Sequence, residues 1–202
     1  MANPINPNGL SPVRNGAGGY WNQQANPYFI PLSDGNQYNI GDIVKSVAAA
    51  DANGLPGVTK ANAGDTPRGV IVGVFVVPPN GPISLVGSAL SLELTNIPAT
   101  KVKNYYVMIV DDPAAIFEIQ DDGLTLLTAT SANKNVNFTV ANPVSPQQQS
   151  GTVLNTSTVA TSASLPLKMM GLAQRYNNSF GIYARWLVKF NQHELLGNTA
   201  GV

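Results

Sequence analysis

Short runs of β-branched and aromatic residues, each ended by proline, glycine or aspartate, place the strongest constraint on how this chain can fold. The clearest run covers residues 70–77, where valine and isoleucine dominate until Pro78 and Pro79 end it. A second run covers residues 105–110, and apolar residues return at 116–119 after an Asp-Asp-Pro break. Such runs are too short for most helices and are rich in residues that favour a pleated backbone, so they predict strands.

Weaker signals predict further strands. Residues 83–94 alternate loosely, and the stretches "VNFTV" (136–140) and "TVLNTSTVATSA" (152–163) carry β-branched residues at alternate positions. We expect the last two to form exposed strands joined by a loop at residues 142–151. The final strand is predicted at residues 181–190, where the alternating apolar set is Ile182, Ala184, Trp186, Val188 and Phe190. Helical patterning is limited to a turn near "NQHELL".

The organisation of the chain follows from its length and punctuation. Its 202 residues suffice for one sizeable domain with an extension, and they contain no internal repeat. Many short strands, proline-rich connections and little helix predict a mainly β fold. We expect a single compact β-barrel or sandwich over residues 34–202, preceded by a long extended N-terminal arm over residues 1–33.

Charge and cysteine content exclude several classes of partner. Charged residues make up 11% of the chain and its net charge is zero, against a usual charged fraction of about 25%. Nucleic acid is excluded as a partner because phosphate binding needs clustered lysine and arginine. The absence of cysteine excludes disulfides and thiolate metal sites. No secretory signal and no apolar run of about 18 residues is visible, so we expect no membrane partner and synthesis in the cytoplasm.

Catalytic and metal-binding motifs are not recognisable. His193, the single histidine, has no G-x-S-x-G serine to activate, so we expect a surface or interface residue at the end of the last strand. The pairs Asp111-Asp112 and Asp121-Asp122 stand beside proline or glycine, where aspartate commonly forms turns. Adjacent carboxylates on an extended chain also point to opposite faces, which suits a metal ion poorly. The sequence predicts neither an enzyme nor a cofactor.

The first 33 residues have an unusual composition. Arg14 is their single charged residue, and asparagine, proline and glycine dominate, yet large apolar side chains are present. Ordering about 30 residues costs roughly 30 to 60 kcal/mol, whereas burying those side chains returns at most roughly 10 to 20 kcal/mol. We therefore expect backbone pairing with a neighbouring subunit to supply the remainder, while the aromatic side chains pack either on the arm's own barrel or on another subunit. The predicted contact residues are Ile5, Leu10, Val13, Tyr20, Trp21, Tyr28 and Phe29.

Five segments in order along the chain resemble the head decoration, or cement, proteins of tailed bacteriophages. They are "NPNGLSPV", "SDGNQYNIGDIVKS", "RGVIVGV", "MIVDDPAAIFEIQDDG" and "NNSFGIYARWLVKFNQHEL". The resemblance implies a small β-barrel that clamps the outside of a capsid shell and has no catalytic residues. It also implies that the partners are the major capsid protein and further copies of the chain, as dimers or trimers.

Together these observations favour a non-enzymatic protein on the outer surface of a virion. Its arm is expected to bind across a subunit boundary, to become ordered on the shell, and to lie outside the barrel's core. The alternative function is a receptor- or glycan-binding module of a phage tail or fibre, in which exposed aromatic residues would stack on sugar.

Overall fold

A computed structural model describes residues 3–75, 96–143, 149–197 and 201–202. In chain order the strands are β1 (Ser11–Arg14), β2 (Asn26–Ile30), β3 (Tyr38–Asn39), β4 (Ile43–Ala50), β5 (Pro56–Lys60), β6 (Gly69–Phe75), β7 (Asn96–Ile97), β8 (Tyr105–Val110), β9 (Ile116–Gln120), β10 (Asn135–Thr139), β11 (Val153–Ala160), β12 (Leu167–Leu172) and β13 (Arg185–Phe190). A 3-10 turn at Ala129–Ser131 is the sole helical element among these residues. The prediction of a mainly β fold is confirmed.

Five strands close into a barrel in the order β2-β5-β4-β6-β8. Strand β2 completes the closure, because it pairs antiparallel with β8 along its whole length and parallel with β5 where Phe29 meets Gly57. The barrel encloses a core of buried side chains: Tyr28, Ile30, Tyr38, Val44, Val58, Ile71, Val74, Ile97, Tyr105, Val107 and Ile109.

The remaining long strands form one antiparallel sheet in the order β1-β9-β13-β12-β10-β11. Its inner face packs around Trp186, which is fully buried, and around Phe117 and Phe190, whose ring centroids lie 5.2 Å apart. The tilted arrangement of these two rings is one that aromatic pairs favour. Other members of this core are Ile119, Val136, Phe138, Leu154, Leu167, Met169 and Val188.

This sheet curls until its last strand returns to the end of β9. The backbone N–H of Asp122 donates to the carbonyl of Leu154 at 3.1 Å. The Asp122 carboxylate also accepts from the backbone N–H of Thr156 at 3.2 Å and from its hydroxyl at 2.6 Å. One side chain therefore joins the first half of β11 to the turn that follows β9.

The barrel and the curled sheet share apolar contacts and a buried polar network. Ile43, Val70 and Val110 of the barrel strands belong to the core of the sheet. At the same junction the Lys60 ammonium lies 2.9 Å from the Asp42 carboxylate and donates to the Asn142 side chain at 3.2 Å. The two parts are therefore packed as a single unit.

Several strand predictions can be compared with the structure. The strand at residues 105–110 is confirmed with the same bounds as β8. The last strand begins at Arg185, later than predicted, because Tyr183 has a φ of 58° and interrupts the extended backbone. Residues 76–95 and 144–148, which include the predicted strand at 83–94 and part of the predicted loop, lie outside the described residues.

The prediction of exposed strands near residues 136–163 is half right. Strands β10 and β11 are present, but Val136, Phe138 and Leu154 have no exposed surface. They are buried because these two strands form a wall of the curled sheet. The alternating β-branched residues predicted exposed strands, but one face of each strand packs in the core and only the other is accessible.

The N-terminal 33 residues do not form a single extended arm outside the barrel's core. Residues 26–30 are strand β2, a full member of the barrel. Residues 3–21, hereafter the N-terminal strap, contain β1 and a tight return in which Trp21 donates its backbone N–H to the Val13 carbonyl at 3.2 Å. The expected arm is corrected because its second half supplies core side chains and its first half pairs with β9 of the same chain.

Candidate interaction surface

The first residues of the N-terminal strap are held by two polar side chains of the curled sheet. The Gln120 amide donates to the Pro4 carbonyl at 2.8 Å and accepts from the Asn6 backbone N–H at 2.9 Å. The Arg185 guanidinium donates to the Asn6 carbonyl and, at 2.9 Å, to the Asn8 side chain. These contacts suit a segment without regular structure, because side chains replace the partners that a ladder would supply.

A buried carboxylate fixes the position of that arginine. Glu118 is 3% exposed, and its oxygens lie 2.8 Å from the Arg175 guanidinium and 3.3 Å from that of Arg185. A buried carboxylate is tolerated where opposite charges and hydrogen bonds compensate its lost hydration. Glu118 therefore orients Arg185 toward the strap, although the sequence alone showed no such pairing.

Asparagine side chains hold the loop at residues 173–184. Asn178 donates to the carbonyls of Ala173 and Arg185 at 2.8 and 2.9 Å, and accepts from the backbone N–H of Arg185 at 2.9 Å. Asn3 of the strap donates to the carbonyls of Ser179 and Ile182, each at 3.0 Å. The loop therefore has a defined conformation and is joined to the strap.

The base of this loop rests on Asp121, which is 1% exposed. Its carboxylate accepts from the Gly123 and Ala184 backbone N–H groups at 3.0 and 3.1 Å, and from the Trp186 indole at 3.2 Å. Burial raises the pKa of Asp121 above its usual range, although these hydrogen bonds act in the opposite direction. Gly123 lies directly under the Tyr183 ring, where an added Cβ would come within 2.4 Å of the ring.

Large apolar side chains are exposed where the strap, the turn after β9 and the loop meet. We call this set the rim surface, and its members, with their exposed fractions, are Ile5 (67%), Leu124 (80%), Tyr176 (99%), Phe180 (51%) and Ile182 (50%). The sequence between Tyr176 and Ile182 contains no charged residue. Isolated exposed apolar residues are ordinary, but several on neighbouring fixed segments are typical of an interaction surface.

A shallow groove of about 330 Å³ lies beside the loop on the outer face of the sheet. Its lining includes Tyr20 from the strap and Glu118, Gln174 and Arg175 from the sheet and the loop. Tyr20 is 88% exposed. The groove thus combines an aromatic ring with groups that donate and accept hydrogen bonds.

The seven residues predicted as contacts differ in their exposure to solvent. Ile5 and Tyr20 are exposed, and Val13 and Trp21 are half-buried. Leu10, Tyr28 and Phe29 are buried within the chain itself, at 1%, 3% and 7% exposure, so their assignment as external contacts is corrected. Whether the other four touch a partner stays a prediction.

The rim surface includes four residues that the sequence interpretation did not select: Leu124, Tyr176, Phe180 and Ile182. Ile182 was assigned to an alternating strand, and the left-handed backbone at Tyr183 was not foreseen. The available signal was the uncharged stretch "YNNSFGIY", in which two asparagines and a glycine predict a loop while four apolar side chains remain.

His193 is buried, at 1% exposure, and the expectation of a surface position is wrong. Its ring lies 5.1 Å from the Phe190 ring, and its Nδ1 accepts from the Leu195 backbone N–H at 3.0 Å. Burial lowers the pKa of His193 below its usual range. Its neighbour Glu194 accepts from the Ser46 backbone N–H at 2.8 Å, so this segment is attached to β4 of the barrel.

The aspartate pairs do form turns, with additional roles. Asp112 accepts from the Ala114 backbone N–H at 2.8 Å, and Asp122 from that of Leu124 at 3.1 Å. Within the described parts of the chain, no group of three or more histidine or acidic residues is arranged to hold a metal ion. No helix there is long and apolar enough to cross a membrane.

Comparison with models of known protein families, with curated proteins and with solved structures finds no match.

Proposed function

We propose that the protein is a non-enzymatic structural component of a bacteriophage particle, which binds the outer surface of the capsid and staples neighbouring major capsid subunits. The observation that carries the proposal is the rim surface, which presents five large apolar side chains on segments fixed by Asn3, Gln120 and Asn178. A surface that is already ordered loses little conformational entropy on binding.

The low charge of the chain supports the same proposal. A partner surface must also be largely neutral, since an unpaired charge opposite the rim surface would lose hydration without compensation. Five side chains are too few for a standard interface of about 800 Å² per partner. Binding at several equivalent places on a repeating shell increases the total affinity through effective concentration. Assembly as dimers or trimers multiplies those contacts.

A glycan-binding module of a tail or fibre is the second candidate. The observation that favours it is the groove beside Tyr20, where an exposed ring adjoins the hydrogen-bonding groups of Gln174, Arg175 and Glu118. Sugar recognition combines an aromatic face with such polar groups. This candidate uses a different part of the surface, so the two can be separated.

The test compares particles carrying the wild-type protein with particles carrying the double variant Tyr176→Ala/Ile182→Ala. The variant should bind protein-depleted particles at least tenfold more weakly, which corresponds to about 1.4 kcal/mol. Particles should then break at a lower temperature while adsorbing normally to cells. Val102→Ala, an 86% exposed apolar residue near the barrel, is the matched control and should bind like the wild type.

Tyr20→Ala decides between the two candidates. Reduced adsorption with normal breakage would support the glycan-binding module. Unchanged binding by Tyr176→Ala/Ile182→Ala, with normal folding, would contradict a role for the rim surface in capsid binding.

A further inference from the structure

The contacts of the N-terminal strap with the remainder of the chain do not depend on which copy supplies it. Strand β1 pairs with β9 through the partners Ser11 and Glu118, Pro12 and Phe117, and Arg14 and Ile116. The clamps at Asn3, Gln120 and Arg185 also join the strap to residues far away in sequence. A strap from a second copy could make each of these contacts with the same geometry.

The receiving surface is built by residues outside the strap. Gln120 is 2% exposed and donates to the Tyr183 carbonyl at 2.8 Å as well as to the strap. Leu10 of the strap is 1% exposed in the core of the sheet, and its backbone N–H donates to the Gly41 carbonyl at 3.0 Å. The strap thus occupies a site formed by buried polar and apolar groups.

The connection between the strap and β2 is short, exposed and conformationally strained. Residues 22–25 join Trp21 to β2, and Asn22, Gln23 and Gln24 are all exposed. Gln23 has a φ of 66°, a left-handed conformation that non-glycine residues adopt uncommonly and at a cost. Extended, four residues span about 13 Å. An extended connection would remove the positive φ at Gln23.

We propose that the N-terminal strap exchanges between two copies of this chain. Each copy places residues 3–21 on the β9 edge and the Gln120 clamp of the other, with residues 22–25 as the hinge. Reciprocal exchange closes a two-fold dimer without requiring new types of contact. The inference is independent of the proposed capsid function, since it rests on contacts within the chain and on the hinge.

The test uses single cysteines, because the chain has none of its own. Arg14→Cys is made in an unlabelled chain and Ile116→Cys in an isotopically heavy chain, since these positions face each other across β1 and β9. The two are mixed in denaturant, refolded together at high concentration and oxidised. Paired strand positions bring Cα atoms within the range that a disulfide needs. Mass spectrometry should find a light–heavy disulfide dimer.

The control mixture pairs Arg14→Cys with heavy Lys168→Cys, which lies on β12 and is separated from β1 by β9 and β13. It measures random disulfide formation between folded chains. The light–heavy dimer in the test mixture should exceed that of the control at least tenfold. Equal amounts in the two mixtures would overturn the proposal.

A second variant tests the hinge. Gln23→Gly removes the cost of the left-handed conformation in the unexchanged form and so favours that form. The yield of light–heavy dimer should therefore fall about fivefold for each chain that carries the substitution. Asn22→Gly adds similar flexibility at a neighbouring position without a positive φ, and should not lower the yield. An unchanged or higher yield with Gln23→Gly would contradict strain at Gln23 as the cause of exchange.

Discussion

The two halves of the N-terminal region have the same unusual composition and opposite structural roles. Residues 3–21 add the edge strand β1 and the buried Leu10 to the curled sheet and are also held by polar side chains, whereas residues 26–30 complete the barrel and supply its core. Ile5 is 67% exposed and Ile30 is fully buried. The composition of the two halves therefore does not predict their different roles. Those roles are set by the residues, distant in sequence, with which each half pairs.

Truncation should give the largest difference in stability between the two halves of the N-terminal region. A chain that begins at residue 31 lacks β2, so the barrel cannot close and β8 and β5 lose a partner. We expect it to have no cooperative thermal transition. A chain that begins at residue 9 loses the first clamps but keeps Leu10 and β1, so it should still unfold cooperatively. A folded protein beginning at residue 31 would show that β2 is dispensable.

Substitution of one isoleucine in each half, Ile30 in β2 and Ile5 in the strap, compares the two halves through single side chains. Ile30→Ala creates a cavity in the barrel and should lower the free energy of unfolding by about 2–5 kcal/mol. Ile5→Ala removes an exposed side chain and should change it by less than about 0.5 kcal/mol. Chemical denaturation of both variants measures the difference. Similar values for the two would mean that the strap contributes to the core as much as β2 does.

The clamp at Gln120 should have an intermediate effect. Gln120→Leu leaves the Pro4 and Tyr183 carbonyls and the Asn6 N–H without their partner, at a cost of about 1–3 kcal/mol. The loss should be localised, so hydrogen exchange at Asn6 should accelerate while amides in β8 stay protected. Gln174→Leu on the nearby exposed loop is the control. Uniform acceleration across both sheets would indicate a global role for the clamp.

The last effect concerns Tyr28 of β2 and appears only at high pH. Its hydroxyl donates to Asp111 at 2.6 Å and accepts from Arg68 at 2.7 Å. Burial raises the pKa of Tyr28 to about 12, from an ordinary value of about 10. A raised pKa contributes stability that is present below the unfolded pKa and is lost as pH rises through the folded pKa.

The stability of the wild type relative to Tyr28→Phe should therefore decline between about pH 10 and about pH 12. Tyr20→Phe, on the exposed part of the strap, should show no comparable change. Denaturation curves recorded across that range measure both differences. A constant difference between wild type and Tyr28→Phe would show that the hydroxyl network does not depend on ionisation.

Many of the strands could be predicted because each is indicated by the residues of a short stretch of sequence. The run at residues 105–110 alternates little, is β-branched and ends at a proline-containing corner, so β8 was found with its bounds. Three of the predicted contact residues are buried instead, and the burial of Tyr28 and Phe29 depends on β8 and β5, far away in the chain. Aromatic residues in an uncharged segment fit a core and a docking surface equally.

The rim surface was missed for a related reason. Its members come from three separate segments, and Asn3, Gln120 and Asn178 bring these together through hydrogen bonds to backbone groups. Such bonds leave no periodic pattern in the sequence. Buried charges such as Glu118 are equally hard to predict, since a glutamate in an alternating strand is normally assigned to the solvent face.

The contact between Asp122 and Thr156 bears on how the edge of the curled sheet can pair with other molecules. Strand β11 reads "VLNTSTVA", with neither charge nor proline, and it ends the curled sheet. An unpaired edge of this composition is a template for strands of other molecules and for fibril growth. The carboxylate of Asp122 occupies the N–H of Thr156 and places a negative charge beside the strand. At this position the edge of β11 therefore has no free N–H group and carries a charge, two features that limit edge-to-edge pairing of sheets.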